Sequence, residues 1–340
     1  MPPLPMRPLG RNGPHVPRIG LGLMGISAFY GPVKPEAERM ALLDKAHELG
    51  ETFWDTADMY GDSEELIGRW LDANPAKRKD IFLATKFANK MLTDRSFTID
   101  STPEYCKAAC ARSLKRLGVD QIDLYYCHRL DQKTPIEKTV QAMKELKEEG
   151  KIKLLGLSEV SAESLRRANK VHPISAVQVE YSPFALEIES PQFKLLEVAR
   201  ELGVAVVAYA PLGRGILSGK IRSRADFDPN DFRKVLPRFS EENFPKNLEI
   251  VDTIAKIAKQ KSLTPSQLCL SWLLANRDDI FPIPGTTRQE RLEENLRALD
   301  IQLTHQEENT IRNVCENAQV VGKRYPDAVI SSCFADTPAL

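Results

Sequence analysis

Asp123-Leu124-Tyr125-Tyr126-Cys127, the helical run Ile136 to Glu148, then Gly150 and Ile152-Lys153-Leu154-Leu155-Gly156-Leu157 form the stretch that decides the fold. The first piece is short, apolar and rich in β-forming residues, which predicts a strand. In the second, Ile136, Val140, Met143 and Leu146 recur at intervals of three and four, which predicts a helix with one face to bury. Gly150 supplies a left-handed stop, and the last piece is a second strand, so the unit is a strand, a crossover helix and a parallel strand. Reading outward, the same alternation places strands at Ile19-Leu23, Thr52-Thr56, Ile81-Thr85, Ala176-Glu180, Ala205-Tyr209 and Phe281-Ile283. Helices are predicted at Glu36-Leu49, Glu64-Leu71, Tyr105-Leu117, Ala162-Lys170, Gln192-Leu202, Pro265-Leu274 and Gln289-Leu299, with Gly50, Gly118 and Gly203 as further stops. Eight units without a break in composition predict an α/β fold, a (β/α)8 TIM barrel occupying 1–340 as one domain, with its core at about 18–317.

Three segments fall outside the repeat. Asn12-Gly13 tolerates positive φ and predicts an N-terminal hairpin between Met6-Leu9 and Val16-Arg18 that closes the barrel bottom. A polar excursion at Arg222-Pro245, within the extended loop 216–245, leaves the seventh strand at the end where a barrel builds its site; a lid is the expectation. The tail 318–340 has no assigned role.

With 340 residues, 42% hydrophobic and 28% charged, the chain has the balance of an ordinary soluble globular protein. Lys plus Arg and Asp plus Glu number 47 each, so no net field recommends nucleic acid or an anionic membrane as partner. The opening Met1-Pro2-Pro3-Leu4-Pro5 lacks the apolar core of a signal peptide, and no run approaches the roughly 20 apolar residues of a spanning helix. The expected location is cytoplasmic. The six cysteines (Cys106, Cys110, Cys127, Cys269, Cys315, Cys333) show no metal-ligand spacing and read as reduced packing residues.

Reactive groups of a barrel stand at the C-terminal ends of its strands. Asp55 ends the second strand, Tyr60 follows in its loop, Lys86 closes the third and His128 the fourth. Together these residues suit carbonyl reduction by hydride, because a proton must reach the carbonyl oxygen as charge develops there. Tyr60 is the expected acid. Lys86 would lower its pKa by favouring the phenolate, Asp55 would pair with Lys86, and His128 would orient the substrate oxygen. No metal is needed, since an organic cofactor brings the hydride.

Asp55-Thr56-Ala57-Asp58-Met59-Tyr60-Gly61 with Lys86 and His128 resembles the signature of the aldo-keto reductase superfamily, from about Leu9 to Asn317. The branch it is most similar to holds microbial and plant pyridoxal reductase-like enzymes and potassium-channel β-subunits. The resemblance implies NADP(H) as cofactor and a small-molecule carbonyl substrate; a homo-oligomer is not indicated by the sequence, which leaves oligomeric state open. It also implies cofactor contacts from Gly22, Leu23, Met24 and Asp55, and from Ser158, Glu159 and Gln178 at the nicotinamide carboxamide. Tyr209 would stack on the nicotinamide ring. Pro211-Leu212-Gly213-Arg214-Gly215 would lie over the pyrophosphate. Pro284-Gly285-Thr286-Thr287-Arg288, with Arg291, Glu294 and Asn295, would hold the adenosine end, where hydroxyls and arginines at a helix start suit a 2′-phosphate. Two positions depart from the family's usual pattern: Glu159 stands for Asn and Gly285 for Lys. A carboxylate can accept from the carboxamide NH₂ but cannot donate to its oxygen, which leaves that to Ser158.

Gly20-Leu21-Gly22-Leu23-Met24-Gly25 matches the dinucleotide-loop pattern, but Gly31-Pro32 interrupts the helix that this reading requires. The other alternative is an NADP-binding regulatory subunit with little turnover, which fold alone does not distinguish. Substrate contacts are expected from Met24, Tyr30, Trp54, Met91 and Phe334.

Overall fold

A computed structural model describes residues 3–91 and 97–340. Eight parallel strands pair in chain order: β1 (Leu21–Gly22), β2 (Phe53–Asp55), β3 (Phe82–Phe87), β4 (Ile122–Cys127), β5 (Ile152–Ser158), β6 (Ala176–Glu180), β7 (Ala205–Tyr209) and β8 (Ile280–Pro282). The seam between first and last is closed by the backbone, with Gly20 N–H donating to Pro282 O at 3.0 Å and Gly22 N–H to Pro284 O at 3.3 Å. The chain is thus a (β/α)8 barrel. The seam also explains a departure noted in the sequence. A Cβ on Gly285 would lie 2.8 Å from Gly22 O, and one on Gly22 would lie 2.7 Å from Ile283 O, so neither position takes a side chain without moving backbone.

Strand periodicity sorts the side chains into two layers. Phe53, Ala84, Leu124, Tyr126, Ala176, Ala205, Val207 and Phe281 fill the barrel interior. Their neighbours Trp54, Leu83, Tyr125, Cys127, Val177 and Val206 point outward under the helices. Asp55 shares the inward face with Phe53 at the C-terminal end. Trp54 therefore cannot line a substrate pocket: it is fully buried, donates from Nε1 to Glu51 O at 2.8 Å, and packs on Trp70 with ring centroids 4.7 Å apart. At the opposite end the predicted hairpin forms, Met6–Pro8 pairing antiparallel with His15–Pro17, and buried Leu9 and Val16 plug the interior.

Around the strands run α1 (Glu36–Glu48), α2 (Ser63–Ala73), α3 (Pro103–Leu117), α4 (Ile136–Glu148), α5 (Ala162–Val171), α6 (Leu195–Leu202), α7 (Asn243–Gln260), α8 (Pro265–Ala275), α9 (Gln289–Leu296) and α10 (His305–Asn317). In α4 the four residues of the predicted stripe are all buried, each contributing about 1.5–3 kcal/mol relative to exposure. Gly118 and Gly203 end α3 and α6 at φ 62° and 72°, the left-handed conformation that glycine adopts most easily. Helices α7 and α10 go beyond the eight that the alternation predicts. The excursion 213–239 consists of short 3₁₀ turns ahead of α7. The tail is docked: Ala335 N–H donates to Glu159 O at 2.9 Å, Ser161 N–H to Ala335 O at 2.8 Å, and Ile136 N–H to Thr337 Oγ1 at 3.1 Å. All six cysteines are free, five of them buried, and burial pushes Cys110 up to about 12, in keeping with packing. Among the described residues no helix is long and apolar enough to cross a membrane.

One core group has a measurable consequence for stability. Glu51 is completely buried, neither carboxyl oxygen has a partner among the described residues, and burial raises its pKa to about 8. The folded form therefore binds this proton more tightly than the unfolded chain, so folding stability falls as pH rises from about 4.5 to 8, by an amount on the order of 5 kcal/mol. Glu51→Gln is expected to abolish that slope: denaturation midpoints of variant and parent should be similar at pH 5, with the variant higher at pH 9. Parallel pH profiles would show that Glu51 is solvated or paired.

Candidate active site

Lys86 reaches the barrel mouth from the inward face of β3 and is fully buried. Its Nζ donates to Asp55 Oδ1 at 2.5 Å and to Thr56 O at 2.7 Å, while Asp55 Oδ2 accepts from Gln178 Nε2 at 2.8 Å. Above this chain of contacts stands Tyr60, its ring centroid 5.1 Å from Lys86 Nζ. The His128 ring meets it edge-on at 5.8 Å, and Phe29 does so at 6.2 Å. The turn carrying Tyr60 is fixed by Tyr60 N–H to Ala57 O at 3.1 Å and by the Thr56 and Ser63 hydroxyls at 2.8 Å. It needs Gly61, where φ is 55° and a Cβ would lie 2.7 Å from Ser27 O. The four predicted residues thus come together.

Their electrostatics differ from expectation at one point. Burial pushes Asp55 up and Lys86 down, and the attraction between the two is what chiefly opposes it. The net shift of Tyr60 is upward, not downward. Burial, followed by the Asp55 charge, holds the phenol well above its ordinary value, and the ammonium of Lys86, which donates to Asp55 and Thr56 and not to the hydroxyl, does not overcome them. Burial, with Arg129 and Lys86, keeps the His128 imidazole far below its usual range and so neutral near pH 7; its Nδ1 has no partner among the described residues.

Ser158 and Gln178 are register partners across β5 and β6. Gln178 has given one N–H to Asp55, which leaves its carbonyl oxygen as an acceptor, and the Ser158 hydroxyl accepts from Arg129 Nη1 at 3.2 Å and keeps its proton to donate. A donor beside an acceptor suits a primary amide. Glu159 does not fit the role the sequence suggests. Its two oxygens receive Arg324 Nη1 and Nη2 at 2.8 and 2.9 Å, and Oε1 also accepts from the Tyr209 hydroxyl at 2.7 Å and Glu180 N–H at 3.3 Å. Oε1 is fully engaged and Oε2 is held by Arg324, whose charge keeps the carboxyl down at about 2 against the effect of burial.

Arg214 turns inward, with φ 58°, to pair with Glu180 at 3.0 Å, and its guanidinium lies 4.8 Å from the Tyr325 ring centroid. The Tyr325 hydroxyl is 3.1 Å from that of Tyr209. In the 211–215 loop, Gly213 N–H and Gly215 N–H are engaged by Ala210 O and Leu212 O, both at 2.9 Å, so these two are not free for phosphate. At the start of α9, half-buried Thr286 accepts from Arg288 N–H at 3.1 Å, the Arg288 side chain is exposed, Arg291 is ion-paired with Glu294, and Asn295 is buried. No side chain caps that helix. Met24 and Tyr30 are half-buried near the mouth. Phe334 is instead stacked on Phe193 at 4.1 Å between the tail and α6. Met91 ends the strand Asn89–Met91, and its side chain lies outside the described residues.

Four mouth residues are absent from the sequence reading: Arg129, Glu180, Arg324 and Tyr325. Glu180 shares a strand face with Gln178, and Arg129 adjoins His128, so both carried a signal; the tail pair did not.

A family model described as the aldo/keto reductase family matches residues 18–316. The chain is 52% identical over 343 residues to aldo-keto reductase str7 of Strobilurus tenacellus, with 99% of each covered. It is 50% identical over 340 residues to aldo-keto reductase yakc of Schizosaccharomyces pombe, whose name carries NADP(+), again with 99% of each covered. Among solved structures it is similar to the thermostable aldo-keto reductase Tm1743 bound to the inhibitor epalrestat, with TM-score 0.73, 30% identity, and 92% of this chain and 100% of that one covered. It is also similar to the glycerol dehydrogenase AKR11B4 of Gluconobacter oxydans, with TM-score 0.82, 26% identity, and coverage of 94% and 97%.

Proposed function

This chain belongs to the aldo/keto reductase family, and from that premise we propose that it reduces aldehydes and ketones to alcohols at the expense of NADPH. The observation that supports this best is the linked set Gln178, Asp55 and Lys86 beneath Tyr60 and His128, beside the Ser158–Gln178 amide site. When bound, the nicotinamide supplies the hydride. Ser158 and the Gln178 carbonyl would hold its carboxamide, Tyr209 would line its ring, and Thr286, Thr287, Arg288 and Arg291 would take the 2′-phosphate. Neutral His128 donates a hydrogen bond to the substrate carbonyl oxygen, and Tyr60 transfers its proton there as the alkoxide forms. A raised phenol pKa is no obstacle, because an alkoxide is the stronger base. It keeps the acid form filled at every working pH. Lys86, 5.1 Å from the ring, offsets part of the phenolate charge that is left.

Purified protein mixed with aromatic aldehydes and either NADPH or NADH tests this reading through loss of reduced-nicotinamide absorbance. NADPH should be the better donor. Arg288→Ala with Arg291→Ala should lower kcat/KM for NADPH by about 10- to 100-fold, the worth of one or two charge-assisted hydrogen bonds. NADH should lose far less. Tight NADPH binding without turnover of any carbonyl would replace this reading with that of a nucleotide-sensing subunit, and equal losses for both nucleotides would remove the phosphate assignment.

A further inference from the structure

Five arginines are buried in the described residues, and four of them face a carboxylate: Arg39 faces Asp62, Arg214 Glu180, Arg238 Glu187 and Arg324 Glu159. Arg129 is the exception. Only 7% of it is exposed, and among the described residues no carboxylate lies within 4.0 Å of it. Its Nη1 donates to His128 O at 2.7 Å and to Ser158 Oγ at 3.2 Å, while Nε and Nη2 have no partner among the described residues. The guanidinium thus bridges the ends of β4 and β5 inside the mouth, between the residue proposed to orient the carbonyl oxygen and the one proposed to hold the carboxamide. The other charges there are ion-paired, Lys86 with Asp55, Arg214 with Glu180 and Arg324 with Glu159, which also acts on Arg129 from beyond 4.0 Å, and His128 is neutral. One positive charge is left over. Burying an ion without a close counter-charge is costly, and a ligand that brings the counter-charge recovers that cost.

We propose that Arg129 recognises an anionic group on the substrate, so that the carbonyl compounds this chain reduces best carry a carboxylate. This deepens the reductase reading and rests on it. The free Nε and Nη2 offer two parallel N–H groups, the geometry that matches a carboxylate side-on.

The test compares 2-, 3- and 4-formylbenzoate with their methyl esters, using NADPH and the full chain. The three isomers place the charge at different distances from the carbonyl carbon, and each ester removes the charge while keeping the ring. For the best isomer, the acid-to-ester ratio of kcat/KM should be at least about 10, the value of a charge-assisted contact. In Arg129→Gln the ratio should fall to near 1, and Arg129→Lys should retain part of it. A parental ratio near 1 for all three isomers overturns the proposal. So does a ratio unchanged in Arg129→Gln, which would leave Arg129 as a support for Ser158. If neither acids, esters nor benzaldehyde itself are turned over, the reductase reading fails on its own. Calorimetric titration of the NADPH-loaded protein with benzoate and benzamide then decides the anion site. Benzoate should bind the parent and not Arg129→Gln; absent or equal binding overturns the proposal.

Discussion

Tyr60→Phe is expected to lower the rate of carbonyl reduction by about 10²- to 10⁴-fold, the range supplied by a positioned general acid. The substitution removes one oxygen and keeps the ring, whose packing against Phe29 and His128 and over Lys86 does not involve the hydroxyl. Cofactor affinity should therefore stay within a few-fold, and the loss should fall on kcat rather than on nucleotide binding. Single-turnover mixing with saturating NADPH, alongside fluorescence titration of the nucleotide, separates the two. The pH dependence follows from the same surroundings. Burial and Asp55 hold the phenol well above its ordinary value, so its acid form is not depleted between pH 6 and 9. His128 is held well below its usual range and keeps one charge state across that window. The parental rate of hydride transfer should be flat there. A rate in Tyr60→Phe close to the parent's, or a parental limb centred near pH 7, would assign the proton to another group.

The eight strands were readable because each is short, apolar and bounded by a helix of the opposite periodicity. The inward direction of Asp55, Lys86 and His128 follows from counting by twos along β2, β3 and β4. The same count, carried to Trp54, sends that side chain outward, and along β6 it brings Glu180 to the mouth beside Gln178. Helix α7 was equally legible in Asn247, Val251, Ile254 and Ala258, which share its buried face, although Pro245 in its first turn resembles a breaker. What pattern could not give is the partner of Glu159. Read alone, a carboxylate at an amide-binding position suggests a ligand contact. Its guanidinium comes from position 324, in a segment with no periodic structure, and only the docking of Ala335 between Glu159 and Ser161 brings the two together. The effect of Lys86 on Tyr60 was misjudged for a related reason. Proximity of Lys86 suggests a lowered pKa, whereas complete burial of the phenol and the Asp55 charge beside it outweigh the ammonium.

That tail contact carries the second large effect. Arg324→Ala leaves buried Glu159 with hydrogen bonds from the Tyr209 hydroxyl and Glu180 N–H and with the Arg129 charge beyond hydrogen-bond range. Removing one member of a buried, bidentate pair costs about 3–5 kcal/mol, because the remaining charge is uncompensated. The sign with pH follows from the pKa of Glu159. In the parent it is depressed to about 2, so the pair contributes its full stability above the unfolded value of about 4.5 and loses it as pH falls toward 2. Without Arg324, only Arg129 and the Tyr209 hydroxyl oppose burial, so the folded pKa rises, the variant is weakest at neutral pH and it gains relative to the parent as Glu159 is protonated. Denaturant unfolding at pH 7 and pH 4 should therefore show a gap of about 3–5 kcal/mol that narrows at the lower pH. Adding Glu159→Gln to Arg324→Ala should recover a large part of the loss at pH 7, since the amide carries no charge to bury. A deficit that is the same at both pH values and unrelieved in the double variant would mean that Arg324 matters for packing against Phe334, 5.0 Å from its guanidinium, and not for the charge of Glu159.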